Sequence, residues 1–359
     1  MLRDPKRLVY AYDELQNLSG NSLPPPEEIF GKDRQGRPLV TFDNGSPRDV
    51  ILPKCYRNSR PVLVAAHSLG FGIYRQPPEG EDTGLVQMFD PAALWTEIGY
   101  SVYQGKLAKG HHVVLERTNE TSPRFLEEHS EIQDLVQFQR FRNEADQNEW
   151  LVDQIRRNLE DDELRYDDII VIHPDPISAR ERVGPIRKRL YEMGIQTHLA
   201  GVDTLADVFF RTDHPSITFT GIFRAKGNEA GMVYGINAQK CETRGAGLAS
   251  LRNRLFTAIT RSKAWVRVVG HGPKMDSLIR EFKELERKEY RLAFKYPTDD
   301  QLRTLRRVHQ DLSPAEKQRL EKQKNLANEL AKALERGELK PEDLDEKTRS
   351  KLRELLGGD

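Results

Sequence analysis

Apolar and polar positions alternate between two rhythms through the middle of the chain. In NEADQNEWLVDQIRRNLE (143–160), Trp150, Leu151, Ile155 and Leu159 recur at helical spacing, which predicts an amphipathic helix. YDDIIVIHP (166–174) is a short unbroken apolar run, the pattern of a strand buried on both faces. RVGPIRKRLYEMGI (182–195) returns to helical spacing. SITFTGIF (216–223) and AGMVYGIN (230–237) read as strands, GLASLRNRLFTAITRSK (247–263) as a helix, and WVRVVGH (265–271) as a further strand. Strands alternating with helices predict an α/β fold, a parallel sheet with helices on both faces.

The flanks are less regular. An apolar run at 7–12 reads as a strand, and the Pro-, Gly- and Asp-rich stretch 22–49 as loop with short strands. RPVLVAAHSLGFGIY (60–74) reads as a helix stopping near Gly70 or Gly72. Residues 76–125 are irregular apart from a strand at 111–117. From Pro273 the chain reads as helical and polar, and no aromatic residue follows Tyr296. Ser313, Pro314 and Glu316 spell a helix start, and Gly337 a stop.

A length of 359 residues suits two domains, or one domain with appendages. The 56 basic and 56 acidic residues cancel, so only a local patch could favour nucleic acid. The two cysteines, Cys55 and Cys241, lack metal-ligand spacing and read as reduced thiols of a cytoplasmic protein. No apolar run approaches the roughly 18 residues that a membrane span needs.

Chemistry-bearing residues cluster in four stretches: YDELQNL (12–18), ILPKCYRNSRPVLVAA (51–66), ITFTGIFRAKGNEAGMVYGIN (217–237) and RNRLFTAITRSKAWVRVVG (252–270). In that order they resemble motifs II, IV, V and VI of the UvrD/Rep-like superfamily 1 DNA helicases, and the resemblance spans residues 8–270. It implies RecA-like motor domains, hydrolysis of ATP with Mg²⁺, and movement along single-stranded DNA. It assigns Asp13 to Mg²⁺, Glu14 to the attacking water and Gln16 to the γ-phosphate. Arg57 and Arg261 would reach that phosphate across a cleft, because phosphoryl transfer needs cationic groups on the equatorial oxygens. Gly227 would let the backbone approach the nucleotide and Glu229 would hold its ribose. Thr220 and Arg224 would face the DNA backbone, and Lys226 would serve either DNA or the motif's own turn. Arg254 reads as an ordinary surface arginine.

Three departures shape the expectation. Phe223 stands where the family has a His, and reads as core. FGKDRQG (30–36) offers Asp33 and Gln35 in the wrong spacing for motif III, and reads as loop. No G-x-x-x-x-G-K-[ST] phosphate loop occurs: GYSVYQGKL (99–107) has five residues between its glycines, and Leu107 follows Lys106. The resemblance therefore implies that residues 1–55 are the end of a first RecA-like domain. Residues 56–272 would be a complete second one, with an accessory insert over 76–142, and 273–359 a charged helical tail. Such a chain would be inactive alone. An alternative is a non-catalytic DNA- or partner-binding half-motor, completed by a separate N-terminal half that supplies the phosphate loop.

Overall fold

Alternate residues of the central strands enter opposite cores. In β5, Ile170 and Ile172 pack into one apolar cluster while Ile169 and Val171 pack into another. This is a computed structural model, and it describes residues 50–203, 215–243 and 247–308, with 11, 13–18 and seven positions between 29 and 39 ahead of them. All belong to one unit, Met1–His309. The expected strand at 7–12, apart from residue 11, and the helices expected after 310 lie outside the described residues.

In chain order the strands are β1 (Gln87–Phe89), β2 (Tyr100–Gly105), β3 (His112–Arg117), β4 (Val136–Phe141), β5 (Ile169–His173) and β6 (Thr197–Leu199). They continue with β7 (Ile217–Gly221), β8 (Ala230–Gly235), β9 (Ser262–His271), β10 (Leu292–Lys295) and β11 (Arg306–Val308). Six of them form a wholly parallel sheet in the order β4-β9-β8-β5-β7-β6. The helix Glu144–Glu160, capped by Asn143, and the helix Ala179–Glu192 cover one face through Leu151, Ile155, Val183, Ile186 and Leu190. The other face carries Arg60–Phe71, Leu248–Ile259 and Gly272–Arg287. Both faces of the expected parallel sheet are thus covered.

The helix Arg60–Phe71 is buried at every position after Arg60, the mark of a central helix rather than a surface one. It stops at Gly72, whose φ of +71° suits glycine and whose Cβ position lies 2.8 Å from Gly84 O. Beyond it, β2, β3 and β10 make a separate antiparallel sheet. The decoy GYSVYQGKL falls on β2 of that sheet.

The chain after Pro273 differs from the expectation. The helix Gly272–Arg287 is followed by β10, which pairs along β3, and by β11, which pairs parallel to β1. Leu292, Phe294 and Tyr296 enter the core, so alternation over a few residues decides this segment rather than its overall polarity. No helix among the described residues is long and apolar enough to cross a membrane.

Candidate functional site

Asp13 opens the site. Its extended backbone and carboxylate cap the 3-10 turn Glu14–Gln16: Leu15 N donates to Asp13 Oδ1 at 3.0 Å, and Gln16 Nε2 donates to Oδ2 at 2.7 Å. Leu15 and Leu18 anchor the turn in the core. The helix Leu248–Ile259 holds it in place. Ser250 Oγ donates to Leu18 O at 3.0 Å, and Asn253 Nδ2 donates to Glu14 O at 3.2 Å and to Asn17 O at 3.0 Å. Just past the helix end, Arg261 Nη2 donates to Gln16 Oε1 at 3.0 Å and its Nε to Thr257 O at 3.2 Å.

Arg57 reaches the same neighbourhood from a different segment. Its neighbour Asn58 is buried and donates to Thr260 O at 3.3 Å and Ser262 O at 2.6 Å, the two carbonyls that flank Arg261. Arg57 Nη1 lies 3.3 Å from Glu229 Oε2, and Lys263 Nζ lies 3.3 Å from Glu229 Oε1. Arg57 Nε is buried without a partner. Burial, and then the positive charge of Arg57, lower the pKa of Arg261 to about 10; Asp13 and Glu229 pull the other way. Burial alone would raise the Glu229 pKa, but hydrogen bonds from Lys263 and Arg57 hold it below the usual carboxylate range.

Asp13, Glu14, Gln16, Arg57, Glu229 and Arg261, from four separated stretches, are thus gathered in one place. Gly227 precedes Glu229 with φ +95°, and no atom lies within 4 Å of its Cβ position. Its glycine is required by backbone angle, and the space beside it is open.

The residues expected to face DNA differ in exposure. Thr220 is fully buried in β7, its hydroxyl donating to Gly221 O at 3.1 Å, so this structure does not place it on a DNA-facing surface. Arg224 is exposed and donates to Ala200 O at 3.2 Å, resting against Gly201. Lys226 is exposed at the end of the short helix Ile222–Ala225.

Phe223 corrects the expectation of a core residue, since it is 47% exposed. In that one-turn helix Ile222 and Ala225 take the inside, which turns Phe223 outward. Arg254 lies 5.8 Å over its ring and donates to Pro174 O at 3.3 Å, so it too is engaged rather than free on the surface. Asp33 closes a local turn, accepting from Gln35 N at 2.8 Å, as its reading as loop requires.

Asn58, Ser250, Asn253 and Lys263 also serve the site without belonging to any motif residue set. Their partners are backbone carbonyls or a carboxylate far away along the chain, so spacing carries no signal for them. Among the described residues no group of three or more His, Cys, Asp or Glu side chains is placed to hold a metal ion.

Residues 216–269 match the family described as UvrD-like helicase C-terminal domain. That span runs from the start of β7 through β8 and the Leu248–Ile259 helix into β9, and holds Gly227, Glu229, Asn253 and Arg261. No curated protein matches the sequence. The solved structures that show similarity include two helicase structures. One is the C-terminal domain of a possible DNA helicase from Lactobacillus plantarum WCFS1, at 20% identity and TM-score 0.30, covering 41% of this chain and 78% of that one. The other is an Arterivirus nonstructural protein 10 (helicase) in complex with DNA, at 11% identity and TM-score 0.26, covering 46% of this chain and 38% of that one.

Proposed function

We propose that this chain, whose residues 216–269 carry a UvrD-like helicase C-terminal domain, is part of an ATP-dependent helicase or translocase acting on single-stranded DNA. One observation carries the reading. Arg261, its pKa lowered first by burial and then by the charge of Arg57, donates to Gln16 in the turn of Asp13, Glu14 and Gln16. Arg57 and Arg261 bring two guanidiniums to the neighbourhood of Asp13 and Glu229, and a triphosphate is an anion of suitable charge and geometry to join them.

The donor set fits such a group. Arg57 has an unpartnered buried Nε and two η-nitrogens, one of which faces only the half-exposed Glu229. Both Asp13 oxygens accept one hydrogen bond each, leaving lone pairs for a hydrated cation. Mg²⁺ commonly takes one or two carboxylates together with phosphate oxygens, so it needs no larger acidic cage. Bound Mg·ATP would supply the phosphoryl group and neutralise part of its charge.

The protein's own residues would do the rest. Arg57 would release Glu229 and, with Arg261, bind oxygens of the terminal phosphate. Gln16, already between Asp13 and Arg261, would report its presence. Glu14 would orient a water and take its proton. Glu229, once free, would be available to a ribose hydroxyl, and Arg224 and Lys226 offer positive charge to a DNA backbone. The missing phosphate-binding loop would come from a segment outside this sequence, so the chain alone should hold nucleotide weakly and turn it over poorly.

The test is a titration of the full chain with a fluorescent ATP analogue, with and without Mg²⁺. We expect weak, Mg²⁺-stimulated binding that drops by about tenfold or more in the Arg57→Ala/Arg261→Ala variant, the equivalent of about 1.4 kcal/mol. Equal binding by the folded variant would overturn the reading.

A further inference from the structure

The turn that carries Asp13 and Glu14 is fixed by one side chain whose orientation is itself imposed. Gln87, fully buried in β1, donates through Nε2 to Gly70 O at 2.8 Å and to Asn253 Oδ1 at 2.7 Å. A backbone carbonyl only accepts, so the contact with Gly70 fixes which end of the Gln87 amide is the donor. Asn253 Oδ1 must then accept, which turns the Asn253 NH₂ group towards the turn. Its two hydrogens meet Glu14 O and Asn17 O. These carbonyls bracket the turn, and Asn17 N closes it by donating to Glu14 O at 3.0 Å. Ser250, one helical step away on the same face, adds the bond to Leu18 O.

We propose that Asn253, oriented by Gln87, is a positioning residue that sets where Asp13 and Glu14 stand relative to Arg57 and Arg261. This deepens the nucleotide-site reading above and rests on it. The physical case is one of geometry. The turn has only two 3-10 hydrogen bonds, Gln16 N to Asp13 O and Asn17 N to Glu14 O, too few to hold its shape unaided. Asp13 and Gln16 bond to each other, which shapes the turn but does not place it. Its placement comes from Leu15 and Leu18 in the core, and from amide donors on the helix that leads to Arg261. Carboxylates and arginine are therefore referenced to one rigid element. A shift of the turn by a fraction of a hydrogen-bond length would change the distance between Glu14 and any water held near the arginines.

Asn253→Asp tests this with almost no change of volume. The carboxylate still accepts from Gln87, while the two donors to the turn are lost and an anion faces Glu14 O and Asn17 O. Two readouts are taken on the full chain. The first is hydrogen–deuterium exchange without nucleotide. Amides of residues 14–18 should exchange about tenfold faster or more, while the Arg60–Phe71 helix and β5 keep their protection. The second is Mg²⁺-dependent binding of the fluorescent ATP analogue, which should weaken several-fold at a temperature well below the variant's own, lowered thermal midpoint.

Unchanged exchange over 14–18 overturns the proposal. So does faster exchange with undiminished nucleotide binding, since the contact is then a tether and not a positioning device; the nucleotide reading would survive that result. Wild-type chain that shows no Mg²⁺-dependent binding at all, with exchange still responding, defeats the nucleotide reading and the positioning role with it. Should Asn253→Asp fail to fold, Gln87→Met removes the donor that orients the Asn253 amide while keeping an apolar chain of similar length in the core. It should raise exchange over residues 14–18 by a smaller factor, and protection equal to wild type would overturn the proposal.

Discussion

Arg252 offers a severe test of how the helix behind the site is held. Its side chain has no exposure. Nη1 donates to Leu69 O at 3.2 Å and Glu281 Oε2 at 3.0 Å, and Nη2 donates to Glu281 Oε1 at 2.6 Å and also to Glu242. Arg75 Nε stands 3.6 Å from the second carboxylate, so Glu242 keeps a cation when Arg252 is removed, whereas Glu281 loses both of its hydrogen bonds. Arg252→Leu therefore leaves a buried carboxylate without a hydrogen-bonded counter-charge, Arg75 acting on it only from further off, a defect that typically costs about 3–5 kcal/mol. In a unit of this size each kcal/mol moves the midpoint by about 2 °C, so the melt should fall by roughly 6–10 °C. The sign with pH follows. Burial already raises the Glu281 pKa, and losing the guanidinium raises it further, so the folded variant takes up a proton that the unfolded chain releases near 4.5. The deficit should shrink as pH falls towards 5 and grow above neutrality. Adding Glu281→Gln should recover much of the loss at pH 8 by removing the charge. Urea denaturation of wild type, single and double variants at pH 5 and pH 8 measures all of this. A single variant within about 1 kcal/mol of wild type, or a deficit indifferent to pH and to Glu281→Gln, would refute the reasoning.

Three further outcomes are expected. His67 is buried, its pKa lowered from 6.5 to about 3 by burial first and by Arg117 second. The unfolded chain therefore binds the proton first as pH falls, and stability is full above about 6.5 and is lost progressively towards 3. A His67→Gln variant should show a flatter urea-midpoint profile across that window, and parallel profiles would count against the assignment. Asn58→Ala removes both donors to Thr260 O and Ser262 O and should cost about 1–3 kcal/mol by denaturation. Gly72→Ala meets both a left-handed backbone and Gly84 O, so it should destabilise by about 2 kcal/mol or more, whereas Gly227→Ala, strained in angle but sterically open, should lose about 1 kcal/mol.

Periodicity made the parallel core legible because burial there is unambiguous. Trp150, Leu151, Ile155 and Leu159 could only make a helix, and Ile169–His173 only an inner strand. The edges were harder. β4 reads VQFQRF and has one partner, so its polar positions face outward and weaken the apolar signal. β2 is exposed at every residue after Tyr100 and carries almost no signal at all. At the site, the residues that a motif names could be read: Asp13, Gln16, Arg57, Glu229 and Arg261 do come together. Asn253 and Asn58 could not be read, because their meaning lies in carbonyls that only tertiary structure delivers. Phe223 was misread because its neighbours Ile222 and Ala225 claim the inward face of a helix too short to show a period.

The bond between Arg261 and Gln16 joins residues 245 positions apart, and Asn253 reaches back 236 positions to Asn17. On the ribosome, the turn carrying the carboxylates emerges long before the helix that receives it. At about 5–20 residues per second that interval lasts roughly 10–50 s. Throughout it Leu15 and Leu18 have no helix to bury them, and must be tolerated in solution or shielded by a chaperone. The site is therefore among the last parts of the unit to be assembled, and slow or interrupted synthesis between residues 18 and 261 should penalise it before it penalises the sheet.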